Sequence, residues 1–151
     1  MPQIRWKPNV TVAAVVYQDG KFLLVEEETA DGLRFNQPAG HLEAGESLID
    51  AVRRECQEET AYDFLPAALV GIYQWPRPDG EANYLRFAFA GDVAGFDPAR
   101  TLDAGIVRAC WLPIEELRET APRHRSPMIL RCAEDFLAGK RYPLSLLTFY
   151  G

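Results

Sequence analysis

Residues 40–62 read GHLEAGESLIDAVRRECQEETAY: a glycine-bounded loop, a turn, then one amphipathic helix with more negative charge on one side than a helix tolerates unaided. Ser47 is a good N-cap, Asp50 stands where a capping partner belongs, and Leu48, Ala51, Val52 and Cys56 recur at helical spacing. The pattern predicts a helix over 48–60. On it Glu55, Glu58 and Glu59 fall at i, i+3 and i+4, within an arc of roughly 100°. Like charges so placed cost roughly 0.2 to 0.5 kcal/mol even in water, and more where a pocket excludes water. Arg54 flanks the trio and reaches Glu58 at i+4, but one guanidinium does not neutralise three carboxylates. A hard divalent cation does, because Mg²⁺ takes oxygen ligands from one or two carboxylates plus waters and phosphates.

An acidic trio on a helix is ordinarily a solvated face, so the spacing around it carries the weight. From Gly40 the order is five residues, Glu46, seven residues, then Arg54-Glu55-Cys56-Gln57-Glu58-Glu59-Thr60-Ala61-Tyr62. This resembles the Nudix box, G-x5-E-x7-R-E-U-x-E-E-x-G-U, with U a bulky aliphatic residue. The fixed positions agree through Glu59. Ala61 stands where the family usually has Gly, and Cys56 and Tyr62 fill usually aliphatic places. A buried Cys behaves as a small hydrophobe, so Cys56 still suits the core. Alanine enters the left-handed conformation only at a cost of about 1 to 2 kcal/mol, so at Ala61 either the helix runs on or the turn is of another type.

The resemblance implies a fold and a site. The fold is α+β, a Nudix-type α/β/α sandwich with a mixed β-sheet, in a single domain over 1–151. Glu55, Glu58, Glu59 and the Gly40 carbonyl are implied as metal ligands, for Mg²⁺ with Mn²⁺ as a substitute. Glu46 orients Arg54, Arg54 positions Glu55, and Glu55 or Glu58 serves as base. Segments beyond the box are similar to the bacterial NudJ phosphatase group: Asn36-Gln37-Pro38-Ala39-Gly40-His41-Leu42-Glu43, Gln74-Trp75, Leu85-Arg86-Phe87, Arg125-Ser126-Pro127 and Arg141-Tyr142-Pro143-Leu144. That similarity implies hydrolysis of nucleoside di- and triphosphates, and of the pyrophosphate of a thiamine-precursor pyrimidine, with release of single phosphates. An ADP-ribose or dinucleotide pyrophosphatase is the alternative enzyme. A Nudix-like module that binds a nucleotide without cleaving it is the alternative outside enzymes, although such modules tend to lose box acids that are all present here.

The remaining chain reads as scaffold. Residues 10–17 and 21–27, separated by Gln18-Asp19-Gly20, predict a β-hairpin. Glu26, Glu27 and Glu28 read as a solvated strand end leading into a loop over 29–34, and Phe35-Asn36-Gln37 as a brief strand. His41 beside a Mg²⁺ site is a poor candidate ligand, since that ion prefers oxygen, and Glu43 has no assigned role. Residues 65–75 and 84–93 predict two strands joined by a loop over 76–80. Alternation sets Arg86 opposite Leu85 and Phe87, where it suits phosphate, while Tyr73 and Trp75 share a face that suits a planar ring, or else the core. Asp97 and Asp103, in the polar loop 95–105, are candidates for a further catalytic acid. Residues 107–111 read as a strand, 113–117 as a short helix, and Ser126-Pro127 opens a last helix with Met128, Ile129, Cys132 and Phe136 as its core stripe and Gly139 as its stop.

Composition narrows the partners. A net charge of −6 argues against a grip on nucleic-acid polymers, leaving a small phosphorylated substrate bridged by cations. Cys56, Cys110 and Cys132 are odd in number and unrelated in spacing, which suggests neither disulfides nor a zinc site, and hence a cytoplasmic setting. The start has no long apolar segment, so neither export nor membrane insertion is expected. The expected assembly is a monomer or a homodimer.

Overall fold

A computed structural model describes residues 3–151; Met1 and Pro2, part of the expected domain, lie outside the described residues. The chain runs through strands β1 (Asn9–Val15), β2 (Tyr17–Gln18), β3 (Lys21–Thr29), β4 (Gly32–Asn36) and β5 (Ala39–His41). Helix α1 (Leu48–Thr60) follows, then the long strands β6 (Asp63–Pro76) and β7 (Asn83–Ala94), strand β8 (Ile106–Leu112), and helices α2 (Ile114–Glu119) and α3 (Met128–Leu137). One sheet has the order β5-β1-β7-β6, with β1 parallel to β7 and antiparallel to β5; in the other, β3 pairs with β2, β4 and β8.

Strand alternation divides the core between two helical layers. Val12, Ala14, Val16, Leu23 and Phe89 turn to one side and pack against Ala51, Val52 and Cys56 of α1. Val15, Phe22, Leu24, Ala88 and Ala90 turn to the other and meet Leu117 of α2 and Cys132 and Ala133 of α3. The result is an α+β, α/β/α sandwich around mixed strands, as the box implies. Residues 12–16 are buried on both faces, and each large aliphatic so buried contributes roughly 1.5 to 3 kcal/mol. Those contacts hold the platform on which the loop and helix of residues 40–62 sit.

Three expectations are corrected. The first two apolar runs do not form one long hairpin: the turn at Asp19 and Gly20 exists, with both residues at positive φ, but only β2 pairs back onto β3. β1 leaves for the other sheet, because a strand apolar on both faces belongs at a sheet's interior rather than in a half-solvated hairpin. Residues 32–34 are strand rather than loop, since the turn at 30–31 is tight and Thr29 Oγ1 both donates to Gly32 O and accepts from Asp31 N. Glu26 and Glu27 are buried rather than solvated. Glu26 accepts from Arg108 and Arg123 at 3.2 and 2.6 Å, and Glu27 from Arg125 at 2.7 Å.

Candidate active site

Helix α1 forms over the expected residues. The Ser47 hydroxyl accepts from Asp50 N at 3.0 Å, and the helix ends at Ala61 with φ 65° and ψ 13°. Alanine therefore does take the left-handed turn usually given to glycine. The strain is offset by what the turn secures, for Ala61 is buried, its N–H donates to Gln57 O, and its carbonyl accepts from Asp97 N at 3.0 Å. A second bond from Asp103 N to Glu58 O, also 3.0 Å, ties the 95–105 loop along the end of the helix.

Arg54 is the hub of the acidic array. Its Nε and Nη2 donate to the two Glu46 oxygens at 3.0 and 2.7 Å, a paired contact that fixes the plane of the guanidinium. With that plane fixed, Nη1 donates to Glu55 at 2.7 Å and to Glu58 at 3.3 Å, while Nη2 also reaches the His41 carbonyl at 3.0 Å. Glu43, mostly exposed, lies 3.6 Å from Nη1 at the rim. Gly40 sits directly against Glu55: a Cβ at that position would collide with the carboxylate. Glycine is thus required there by close approach and not by an unusual φ.

The carboxylates divide into two settings. Glu55, Glu58 and Asp103 each place an oxygen within 4.8 Å of the others, a donor set suited to a hard cation. Glu59 faces inward and accepts from Ala39 N at 2.9 Å, outside that trio. Burial pushes Glu59 up to about 8 against the Ala39 amide, with Glu55, Glu27 and Asp103 adding repulsion. Burial also raises Glu55, opposed by Arg54 and reinforced by Glu58 and Asp103, and it raises Glu58, where Asp103 repels and Arg54 attracts. By contrast, the hydrogen bonds from Arg54 hold Glu46 below the ordinary carboxylate range despite burial. One arginine therefore settles Glu46 and leaves the others short of positive charge. Of the two loop acids, Asp103 joins the cluster, whereas Asp97 turns its side chain to Ala99 N.

A cleft of about 750 Å³ opens in front of this array. Gly40, His41, Glu55 and Glu59 line one end; Thr11, Arg86, Asn36, Arg125, Ser126 and the Trp75–Tyr84 pair line the rest. Arg86 therefore shares the cleft with two of the box glutamates, Glu55 and Glu59. Trp75 stacks on Tyr84 at 6.0 Å between centroids with planes 16° apart, since the two are register partners across β6 and β7. Tyr73 does not line this cleft. Its hydroxyl donates to Asp135 at 2.8 Å and its ring packs on the α3 side of the core. Sequence reasoning gave no role to Tyr84 or Thr11. Tyr84 was legible only through the antiparallel register opposite Trp75.

The family described as the NUDIX domain matches residues 7–132. The chain is 40% identical over 142 residues to phosphatase NudJ of Escherichia coli strain K12, covering 94% of this chain and 92% of that one. A solved NUDIX hydrolase from Nitrosomonas europaea is 55% identical and superposes with a TM-score of 0.93, covering 95% of this chain and 98% of the other. An ADP-ribose pyrophosphatase from Streptococcus suis, 19% identical with a TM-score of 0.66 over 90% of this chain and 96% of its own, shares the fold.

Proposed function

Because the chain belongs to the Nudix hydrolase family, whose members act on pyrophosphate bonds, we propose that it is a Mg²⁺-dependent phosphatase of small nucleoside di- and triphosphates and related pyrophosphates. The observation that carries this reading is the meeting of Glu55, Glu58 and Asp103 within 4.8 Å, with Glu55 also lining a cleft whose other walls carry arginines and stacked aromatics. The likeness to phosphatase NudJ supports the substrate class.

The donor set fits a magnesium ion, which Glu55, Glu58 and Asp103 would hold, with the Gly40 carbonyl and Glu59 as the further oxygens the family pattern implies; manganese would fit the same oxygens. When bound, such an ion offsets charge on diphosphate oxygens and acidifies a water. The chain's own residues do the rest. Glu46 locks Arg54, and Arg54 keeps the Glu55 carboxylate turned toward the cleft. Glu58 has 27% of its side chain exposed against 11% for Glu55, which makes it the better placed group to take a proton from an attacking water. Trp75, backed by Tyr84, offers a flat face for the organic end of the substrate, and Arg86 lies along the phosphate path.

Glu58→Gln keeps the size and removes the charge. Phosphate release from a nucleoside diphosphate at saturating Mg²⁺ is expected to fall by about 10² to 10⁴-fold. Unchanged turnover would reject the assignment.

A further inference from the structure

Arg86 is in a position that a charged side chain does not occupy without reason. It is only 4% exposed, and its Nη2 donates to two neutral amide oxygens, Asn36 Oδ1 at 3.1 Å and Gln37 Oε1 at 2.6 Å. Its Nε is buried with no partner, and among the described residues it enters no ion pair. A guanidinium stays charged throughout the working range of a protein, so its burial beside neutral groups alone is costly. Of the other cleft arginines, Arg125 is paired with Glu27 and Arg77 with Asp79, while Arg34, without an ion pair among the described residues, is only half-buried and donates to the Leu33 carbonyl.

A second orphan lies beside the first. The Thr11 hydroxyl is also buried without a partner, and Thr11 is the register neighbour of Arg86 in the parallel pairing of β1 and β7. Both residues line the cleft. On its other side Thr11 is the register partner of His41, next to Gly40, against which Glu55 rests. The cleft floor is therefore a row across three strands, acid end to basic end, roughly 10 Å between outer backbones at the usual strand spacing. Gln37 secures the basic end, accepting from Arg86 while its Nε2 donates to Ile129 O at 2.8 Å, in the first turn of α3. Ser126, just ahead of that helix, closes the wall.

We propose that Arg86 and Thr11 form a subsite for a terminal phosphate, the one farthest from the carboxylates along the cleft floor. Both residues lie deep, at 6% exposure or less, with Gln37 holding Arg86 from behind, so the position suits a phosphate at which a substrate stops and not one through which a chain continues. The site thereby favours nucleoside di- and triphosphates and simple pyrophosphates over substrates whose phosphates are esterified on both sides. This rests on the phosphatase reading above and adds the feature that sets its substrate range.

The test uses methylenediphosphonate, whose P–C–P bridge resists hydrolysis, titrated by calorimetry into the full chain with Mg²⁺ present. Arg86→Gln is expected to weaken binding by about 10- to 100-fold, with Arg86→Lys between it and the wild type, because a charged forked contact is lost. Thr11→Val, which removes a partnerless hydroxyl and leaves the fold intact, is expected to weaken binding several-fold. In parallel, kcat/KM for a nucleoside diphosphate should fall in all three variants, while that for a diphosphate esterified at both ends changes less than twofold. If the wild type binds the diphosphonate and Thr11→Val and Arg86→Lys bind it equally well, the subsite is refuted while the phosphatase reading stands. If the wild type neither binds it nor releases phosphate from any nucleotide, the phosphatase reading itself falls.

Discussion

Two groups of glutamates, one at the end of β3 and one at α1, each send a buried member to the same cleft, and they are treated in opposite ways. Glu26 and Glu27, at the end of β3, receive three arginines, Arg108, Arg123 and Arg125, for two carboxylates. Burial pushes Glu26 up, but the hydrogen bonds from Arg123 and Arg108 outweigh it and leave the group below its ordinary value. At α1 and the loop before it, Glu46, Glu55 and Glu58 share Arg54 as their one cation among the described residues, and Glu55, Glu58 and Glu59 are all displaced upward. Glu26, Glu27, Glu55 and Glu59 are alike in residue type and in exposure; the supply of positive charge is not. The first group is balanced within the chain, whereas the second is left short of positive charge, the deficit that the proposed cation would fill.

The sharpest way to break this contrast is to neutralise one acid of each group. Glu55→Gln should lower phosphate release by about 10²-fold or more, while leaving the metal-free protein as stable as before or about 1 kcal/mol more stable, since a repulsion is removed. Glu26→Gln should keep activity within about twofold but cost about 1 kcal/mol, the two arginines losing their partner while remaining half exposed to water. Paired rate assays and urea melts give both signs, and the same sign of stability change in the two variants would end the comparison.

A smaller effect is expected from the cation itself. Mg²⁺ at about 100 times its dissociation constant should stabilise the wild type by about 2.7 kcal/mol, or roughly 5 to 10 °C in a thermal melt of a domain this size. Glu55→Gln should lose most of that shift, and Glu26→Gln should retain it. A Mg²⁺ response that survives in Glu55→Gln would place the ion elsewhere.

The smallest effect is in acid. Because the folded-state value of Glu26 is lowered, its contribution is present above its unfolded value near 4.5 and is lost as pH falls through the lowered folded value. The stability gap between wild type and Glu26→Gln should therefore be constant above about pH 5 and close below it, by about 1 kcal/mol. Melts of both proteins between pH 3 and 7 read this directly, and a gap that widens in acid would reverse the assignment.

Much of the site was legible where its causes are local. The Ser47 cap, the span of α1, and the reach of Arg54 to Glu58 follow from spacings of three and four residues. The pairing of Glu46 with Arg54, eight residues apart, came through the family pattern instead. Illegible were the relations between distant segments. The partners of Glu26 and Glu27 lie 97 and 98 residues away, at Arg123 and Arg125, so three adjacent glutamates looked like a solvated end. Tyr73 and Trp75 share a strand face by alternation, yet α3 draws Tyr73 to Asp135 and leaves Trp75 beside Tyr84. Asp103 and Asp97 looked equivalent until the bonds to Glu58 and Ala61 set which one faces the helix.

The sequence by itself determined a capped helix that places several carboxylates on one side, since helix geometry repeats every 3.6 residues whatever surrounds it. Only the tertiary structure decided which of the chain's buried charges are answered from within and which are left for a ligand. That decision depends on desolvation and on the distance between charges in space, and neither can be read from their separation along the chain.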